Sequence, residues 1–280
     1  SWEIGLIGIV PALMAVPPLL ILFHLIKEFP DAADPNRNRV LAWTGGAALF
    51  FITLIAPVQF DREWLTVAWA LEGVALIWLF HHVPHVGLKA TGVALLAIVF
   101  ARLTLNPFVF DYHPRSGLPL LNWYLWVYGI AAASHFVAGR LLNPPREQLF
   151  GRSVQPLAFS GGVILAFYLL NIQIADFYST GSRVSFEFSA NFARDMTYSI
   201  AWALFAFPLL LAGFWRKLPA CRYAGLALMS FTLLKLFLHD LSQLNQLYRI
   251  GALMGVAVIV IAASVLYQKF APRPEGVEHR

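Results

Sequence analysis

The chain has 280 residues, of which 59% are hydrophobic and only 12% charged. Soluble domains carry roughly 25% charged residues, so this composition excludes a dissolved monomeric globule. At a net charge of +5, basic residues on so apolar a chain serve membrane orientation, and no nucleic-acid partner is expected.

Mean hydropathy is +0.67, and apolar runs near the ~20 residues of a bilayer-spanning helix recur along the whole length. The runs are apolar all round, without the alternation of a β-barrel strand. The predicted fold is an all-α polytopic transmembrane bundle of about nine spans. They lie near 5–27, 39–57, 64–83, 86–105, 119–142, 155–175, 196–215, 219–238 and 247–269.

The first span carries Pro11, Pro17 and Pro18, which predicts a kink or broken turn. A polar link, Glu28 to Arg39, leads to a second span with Gly45-Gly46. The third opens at Trp64 and holds Glu72. The turn His81-His82-Val83-Pro84-His85 leads to the fourth, which ends around Arg102. The fifth opens on Asn122-Trp123-Tyr124, an aromatic group of interfacial type. A loop from Asp176 to Arg194 separates the sixth span from the seventh. His239-Asp240 closes the eighth. Cys221 is the single cysteine, which excludes an internal disulfide framework and cysteine-rich metal sites. The start at Ser1 has no basic n-region, so a processed start or a piece of a longer protein is expected.

The chain also repeats itself. Ala68-Trp69-Ala70-Leu71 returns as Ala201-Trp202-Ala203-Leu204. Without a gap, Lys89 then lands on Arg222, Gly92 on Gly225, Arg102 on Lys235 and Leu105 on Leu238. Leu41 to Gly46 is echoed by Leu157 to Gly162. The predicted organisation is a leading helix and linker at 1–38, a four-span unit at 39–154, and a second four-span unit with a tail at 155–280. An even number of spans makes the two units parallel repeats. Placing the N-terminus outside puts thirteen of the twenty Lys and Arg on the cytoplasmic side, which predicts N-out and C-in.

Some segments carry a family likeness: Ala68 to Gly73 after Pro57-Val58-Gln59-Phe60-Asp61, Lys235 to Ser242, Leu247-Tyr248-Arg249, and Leu266 to Phe270. Together they resemble the bacterial predicted membrane proteins of domain-of-unknown-function family 2339. The resemblance covers nearly the whole chain. It implies a place at the C-terminal end of a longer polytopic protein of the bacterial inner membrane, and it transfers no catalytic residue.

Glu72 lies within a span, where an ionised carboxylate is costly unless partnered. Arg102, in the next span, is its candidate intramembrane ion-pair partner. His81, His82 and His85 read as an interfacial turn, because Pro84 interrupts the helix that would align them and no carboxylate adjoins; no metal and no cofactor is expected. Neighbours on a helix point ~100° apart, so His239 and Asp240 are not a ready-made acid–base dyad. The outer span ends collect further polar residues, among them Asp111, Arg115, Gln173, Asp176, Arg194 and Asp195. Lys235, His239, Asp240 and Arg249 are the outer-face candidates. The leading expectation is a scaffold or accessory subunit of the cell envelope. Its outer face would contact membrane lipid, glycan, other envelope membrane proteins or the rest of a longer parent chain. A membrane-embedded enzyme on lipid-linked or glycan substrates and a transporter are the alternatives.

Overall fold

A computed structural model of the chain describes residues 9–28, 35–59, 64–111, 115, 120–181, 183–186, 191–240 and 246–270. These residues form helices α1 (Ile9–Glu28), α2 (Pro35–Gln59), α3 (Trp64–His82), α4 (Val86–Leu105), α5 (Trp123–Leu141), α6 (Gln155–Tyr178), α7 (Phe192–Trp215), α8 (Pro219–Lys235) and α9 (Gln246–Phe270). A 3-10 turn, Pro107–Asp111, follows α4, and a π turn, Leu236–Asp240, follows α8. The strands β1 (Gln148–Leu149) and β2 (Arg152–Ser153) pair antiparallel between α5 and α6. Apart from these strands and the connecting turns, the described residues are helical. Among the described residues six helices are long and apolar enough to cross a membrane: those at Asn36–Ile55, Trp64–His82, Val86–Leu105, Gln155–Tyr178, Phe192–Trp215 and Pro219–His239. The apolar stretches of α1 and α9 are shorter, Ile9–Leu25 and Met254–Lys269. α5, which carries Ser134, His135 and Arg140, is not in that set.

Local chemistry sets the helix starts. Asn122 caps α5 by accepting from Leu125 N at 2.9 Å, and Asn191 caps α7 by accepting from Ala193 N at 3.0 Å. Proline occupies the first turns of α6 and α8, where a missing N–H costs nothing. Two expectations need correction. α1 continues as helix through Pro17 and Pro18 instead of breaking there, with α2 packed along it; packing against a neighbouring helix is one way a spanning helix tolerates proline. The polar residues Asp176, Arg194 and Asp195 belong to helices rather than to the loop between them. Each is buried, and burial of backbone requires that it be hydrogen-bonded, which helix supplies.

The chain divides into two compact units, Ser1–Val184 and Ser185–Arg280. In the first, α3 packs on α4 and on α5, and α5 packs on α6. Val67, Val99, Leu103, Tyr128, Leu165 and Ile172 build its main core. Leu96, Ile77, Ala138, Leu142 and Val154 fill the opposite end. In the second, α7 and α8 form a hairpin around Ala206, Leu210 and Met229, with Ile259 and Ala263 of α9 beside them. Both hairpins close on a glycine. A Cβ at Gly92 would stand 2.7 Å from the Gly73 carbonyl and 2.8 Å from the Ile77 side chain. A Cβ at Gly225 would stand 3.1 Å from the Ala206 carbonyl and 2.8 Å from the Leu210 side chain.

Candidate functional site

The first unit gathers its most buried charge where α6 ends and α5 begins. Asp176 is 1% exposed and sits two residues from the α6 C-terminus, where the helix dipole disfavours a carboxylate. Two donors offset this. Arg115 Nε donates to Oδ1 at 2.8 Å, and Asn122 Nδ2 donates to Oδ2 at 2.8 Å. Asn122 Nδ2 also donates to Gln173 Oε1 at 2.9 Å, and Gln173 Nε2 donates back to Asn122 Oδ1 at 3.1 Å. One asparagine thus caps α5 and ties it to α6. The Tyr128 hydroxyl donates to Leu103 O at 2.8 Å, anchoring the end of α4 to the same place.

The opposite end of the unit is basic. Lys89, buried, donates to Arg146 O at 3.2 Å and Gln148 O at 2.6 Å and lies over the Phe80 ring. This holds the β1–β2 hairpin against the start of α4. The three histidines of the α3–α4 turn part company. His81 Nε2 donates to Leu141 O at 2.8 Å, and its Nδ1 accepts from Arg146. His82 packs against Trp78, ring centroids 4.4 Å apart and planes tilted by 48°. His85 caps α4 by accepting from Gly87 N at 3.2 Å. Among the described residues no three His, Cys, Asp or Glu gather as metal ligands.

Glu72 is 5% exposed, and the side chain of Thr53, on α2, lies beside its carboxyl. Among the described residues no hydrogen bond or ion pair joins it to Arg102, whose Nε is buried without an acceptor. The packing register explains the separation. Gly73 lies against Gly92 and Leu96, so Arg102 sits about six residues, roughly 9 Å, nearer the helix end than Glu72.

In the second unit the sequence candidate Lys235 finds α7. Its Nζ donates to Asp195 O at 3.0 Å and to Ser199 Oγ at 2.9 Å. Arg194, Asp195, Tyr198 and Ser199 are all buried around it. The charges suit the backbone: Asp195 lies in the first turn of α7 and Lys235 in the last of α8. The π turn that follows holds His239 at a partly exposed position; such turns are frequent at functional sites. The side chains of Asp111, Asp240 and Arg249 lie outside the described residues.

Sequence reasoning placed Arg115, Gln173 and Asp176 at span ends without joining them, and it passed over Asn122 as a cap and Ser199 as a partner. An asparagine just before an aromatic span and an aspartate at the wrong end of a helix dipole are the signals that point to the first network.

No curated protein and no solved structure matches the chain. Residues 81–270, more than half of the chain, match the family described as "Predicted membrane protein (DUF2339)". The apolar helices, the polar groups confined largely to their ends and this match agree, and the chain belongs to the predicted membrane protein family DUF2339.

Proposed function

We propose that this chain is a scaffold or accessory module of the bacterial inner membrane, nine spans long, with its N-terminus outside and its C-terminus in the cytoplasm. The observation that carries this reading is the use made of buried charge. Asp176 spends both carboxylate oxygens on Arg115 and Asn122, which join helix ends to one another. Lys235 spends its donors on a backbone carbonyl and a hydroxyl of α7. A polar end built in this way is a rigid surface for lipid, glycan or a partner protein.

The repeat is part of the proposal. Gly73, Ile77 and Gly92 become Ala206, Leu210 and Gly225 at one constant offset, and the glycine in each hairpin meets the other two positions. Lys89 over Phe80 and Arg222 over Phe214 also open the second arm of each hairpin alike. These parallels support two copies of one four-span design.

An enzyme is the second reading, favoured by the 2.9 Å contact of Lys235 Nζ with Ser199 Oγ. Lysine and serine form a nucleophile pair in some hydrolases. Here Ser199 is 2% exposed, and Lys235 donates to it, so the pair acts as a brace. Ser199→Ala in the parent protein separates the two readings. A scaffold keeps its cellular role when the variant keeps its melting temperature. Loss of that role at unchanged melting temperature, with labelling of Ser199 by a fluorophosphonate, would establish the enzyme instead.

A further inference from the structure

An apolar groove of about 560 Å³ runs between α3 and α5 on the first unit. Leu71 and Trp78 form one wall; Ile130, Ala133, Val137 and Leu141 form the other. The twelve residues from Ile130 to Leu141 extend about 16 Å along a helix. That matches one leaflet of hydrocarbon, about 15 Å, and is half of what a spanning helix would need. The length fits an acyl chain and not a transmembrane helix.

The groove ends at the basic end of the unit. The carbonyl of Leu141 accepts from His81, and His81 accepts from Arg146. Trp78 packs against His82. Arg140 is exposed and follows Val137 by three residues, on the same helical face. The hairpin tip beyond it exposes Phe150, 84%, between Arg146 and Arg152, an apolar anchor flanked by cations as membrane interfaces favour. Among the described residues no carboxylate forms an ion pair with Arg140, Arg146 or Arg152. An apolar slot one leaflet long thus opens onto net positive charge, three arginines against Glu147.

The geometry points to a binding site for an anionic phospholipid, with one acyl chain in the α3–α5 groove and the phosphate against Arg140 and Arg146. Arg140, Arg146 and Arg152 outnumber Glu147, the one carboxylate of the described hairpin, and the net positive charge favours a net negative headgroup. Lys89 holds the hairpin so that Arg146 stays at the mouth. The site stands apart from the scaffold reading and from the Asp176 and Lys235 networks, and it holds for either orientation in the bilayer.

The test is native mass spectrometry of the full chain, delipidated in detergent and titrated with phosphatidylglycerol and with phosphatidylcholine of the same acyl chains. Phosphatidylglycerol should bind at least about tenfold more tightly. Arg140→Gln and Arg146→Gln should each weaken it about fivefold and leave phosphatidylcholine unchanged. Arg146 also touches His81, so the exposed Arg140 carries the charge test if Arg146→Gln loosens the hairpin. Ala133→Trp, on the open wall of the groove, should weaken both lipids at an unchanged melting temperature. Equal affinity for the two lipids would overturn the proposal. So would a phosphatidylglycerol preference that survives Arg140→Gln, or lipid binding indifferent to Ala133→Trp. A disulfide dimer through Ala133→Cys on a Cys221→Ser background would assign the groove to a second copy instead.

Discussion

Two buried carboxylates, Asp176 and Glu72, show how placement decides what an acid contributes. Asp176 holds a guanidinium and an amide, so truncating it strands both donors. Removing one partner of a buried pair costs ~3–5 kcal/mol, and Asp176→Ala should lower stability in detergent by that order. Asp176→Asn, which keeps one acceptor oxygen, should cost less than half as much. Denaturant titration followed by tryptophan fluorescence reads both, and equal losses would show that the charge alone, and not the retained acceptor, carries the contact. Among the described residues no cation forms an ion pair with Glu72. Glu72→Gln should therefore change stability by less than ~1 kcal/mol. Arg102→Met should add to it without coupling, since additivity holds for sites that share no partner. A coupling above ~1 kcal/mol in that double-mutant cycle would restore the ion pair suggested by the sequence.

At the level of elements, the hairpins depend on close approach. The backbone carbonyl of Gly73 cannot yield to a Cβ on Gly92 as a flexible side chain would. Gly92→Ala and Gly225→Ala should each cost ~1–3 kcal/mol by overpacking. Gly255 in α9 meets nothing within 4 Å. Gly255→Ala should therefore be neutral, or stabilising by up to ~1 kcal/mol through helix propensity. Melting temperatures of the three variants check the contrast; a stabilising Gly92→Ala would mean that α3 and α4 do not pack at this register. The β1–β2 hairpin follows the same logic of local geometry. Phe150 and Gly151 both have positive φ, the signature of a two-residue primed turn, and Lys89 fastens the result to α4.

For the whole molecule, charge and repetition carry the argument. On a Cys221→Ser background, cysteines at positions 116 and 182 should react with an impermeant reagent from outside, and one at position 276 should not. Labelling at 276 alone would reverse the N-out orientation, which rests on the Lys and Arg imbalance. The repeat makes a separate prediction. In a cryo-electron-microscopy map of the parent protein, residues 64–105 should superpose on 197–238 with Trp69 on Trp202 and Gly92 on Gly225. A different register would reduce the likeness to shared apolar composition. The compact units break at Val184, whereas the proposed repeat would break before Gln155; α6 packs on α5. A sequence repeat and a packing unit need not share a boundary when a closing helix pairs with the opening helix of the next copy.

Composition and periodicity were enough to establish a membrane class and to place most helices. α4 spans 86–105 as the apolar run does, and α3 and α8 begin at Trp64 and Pro219 as expected. Those features are local, since a bilayer-crossing helix satisfies its own backbone and advertises itself by length and apolarity. Helix ends were less legible, and α6 and α7 each continue into residues that read as loop. Polarity there predicts exposure, whereas Asp176 and Asp195 are polar and buried. The networks themselves came only from tertiary structure. Arg115 and Asp176 are 61 residues apart in the chain, and Lys89 and Gln148 are 59 apart. Lys89 was visible as a repeat position, but its acceptors are backbone carbonyls, which every residue carries and no side chain announces. The α3–α5 groove is of the same kind. Its walls are ordinary apolar letters, and only the parallel packing of two helices sets them one leaflet deep beside the arginines.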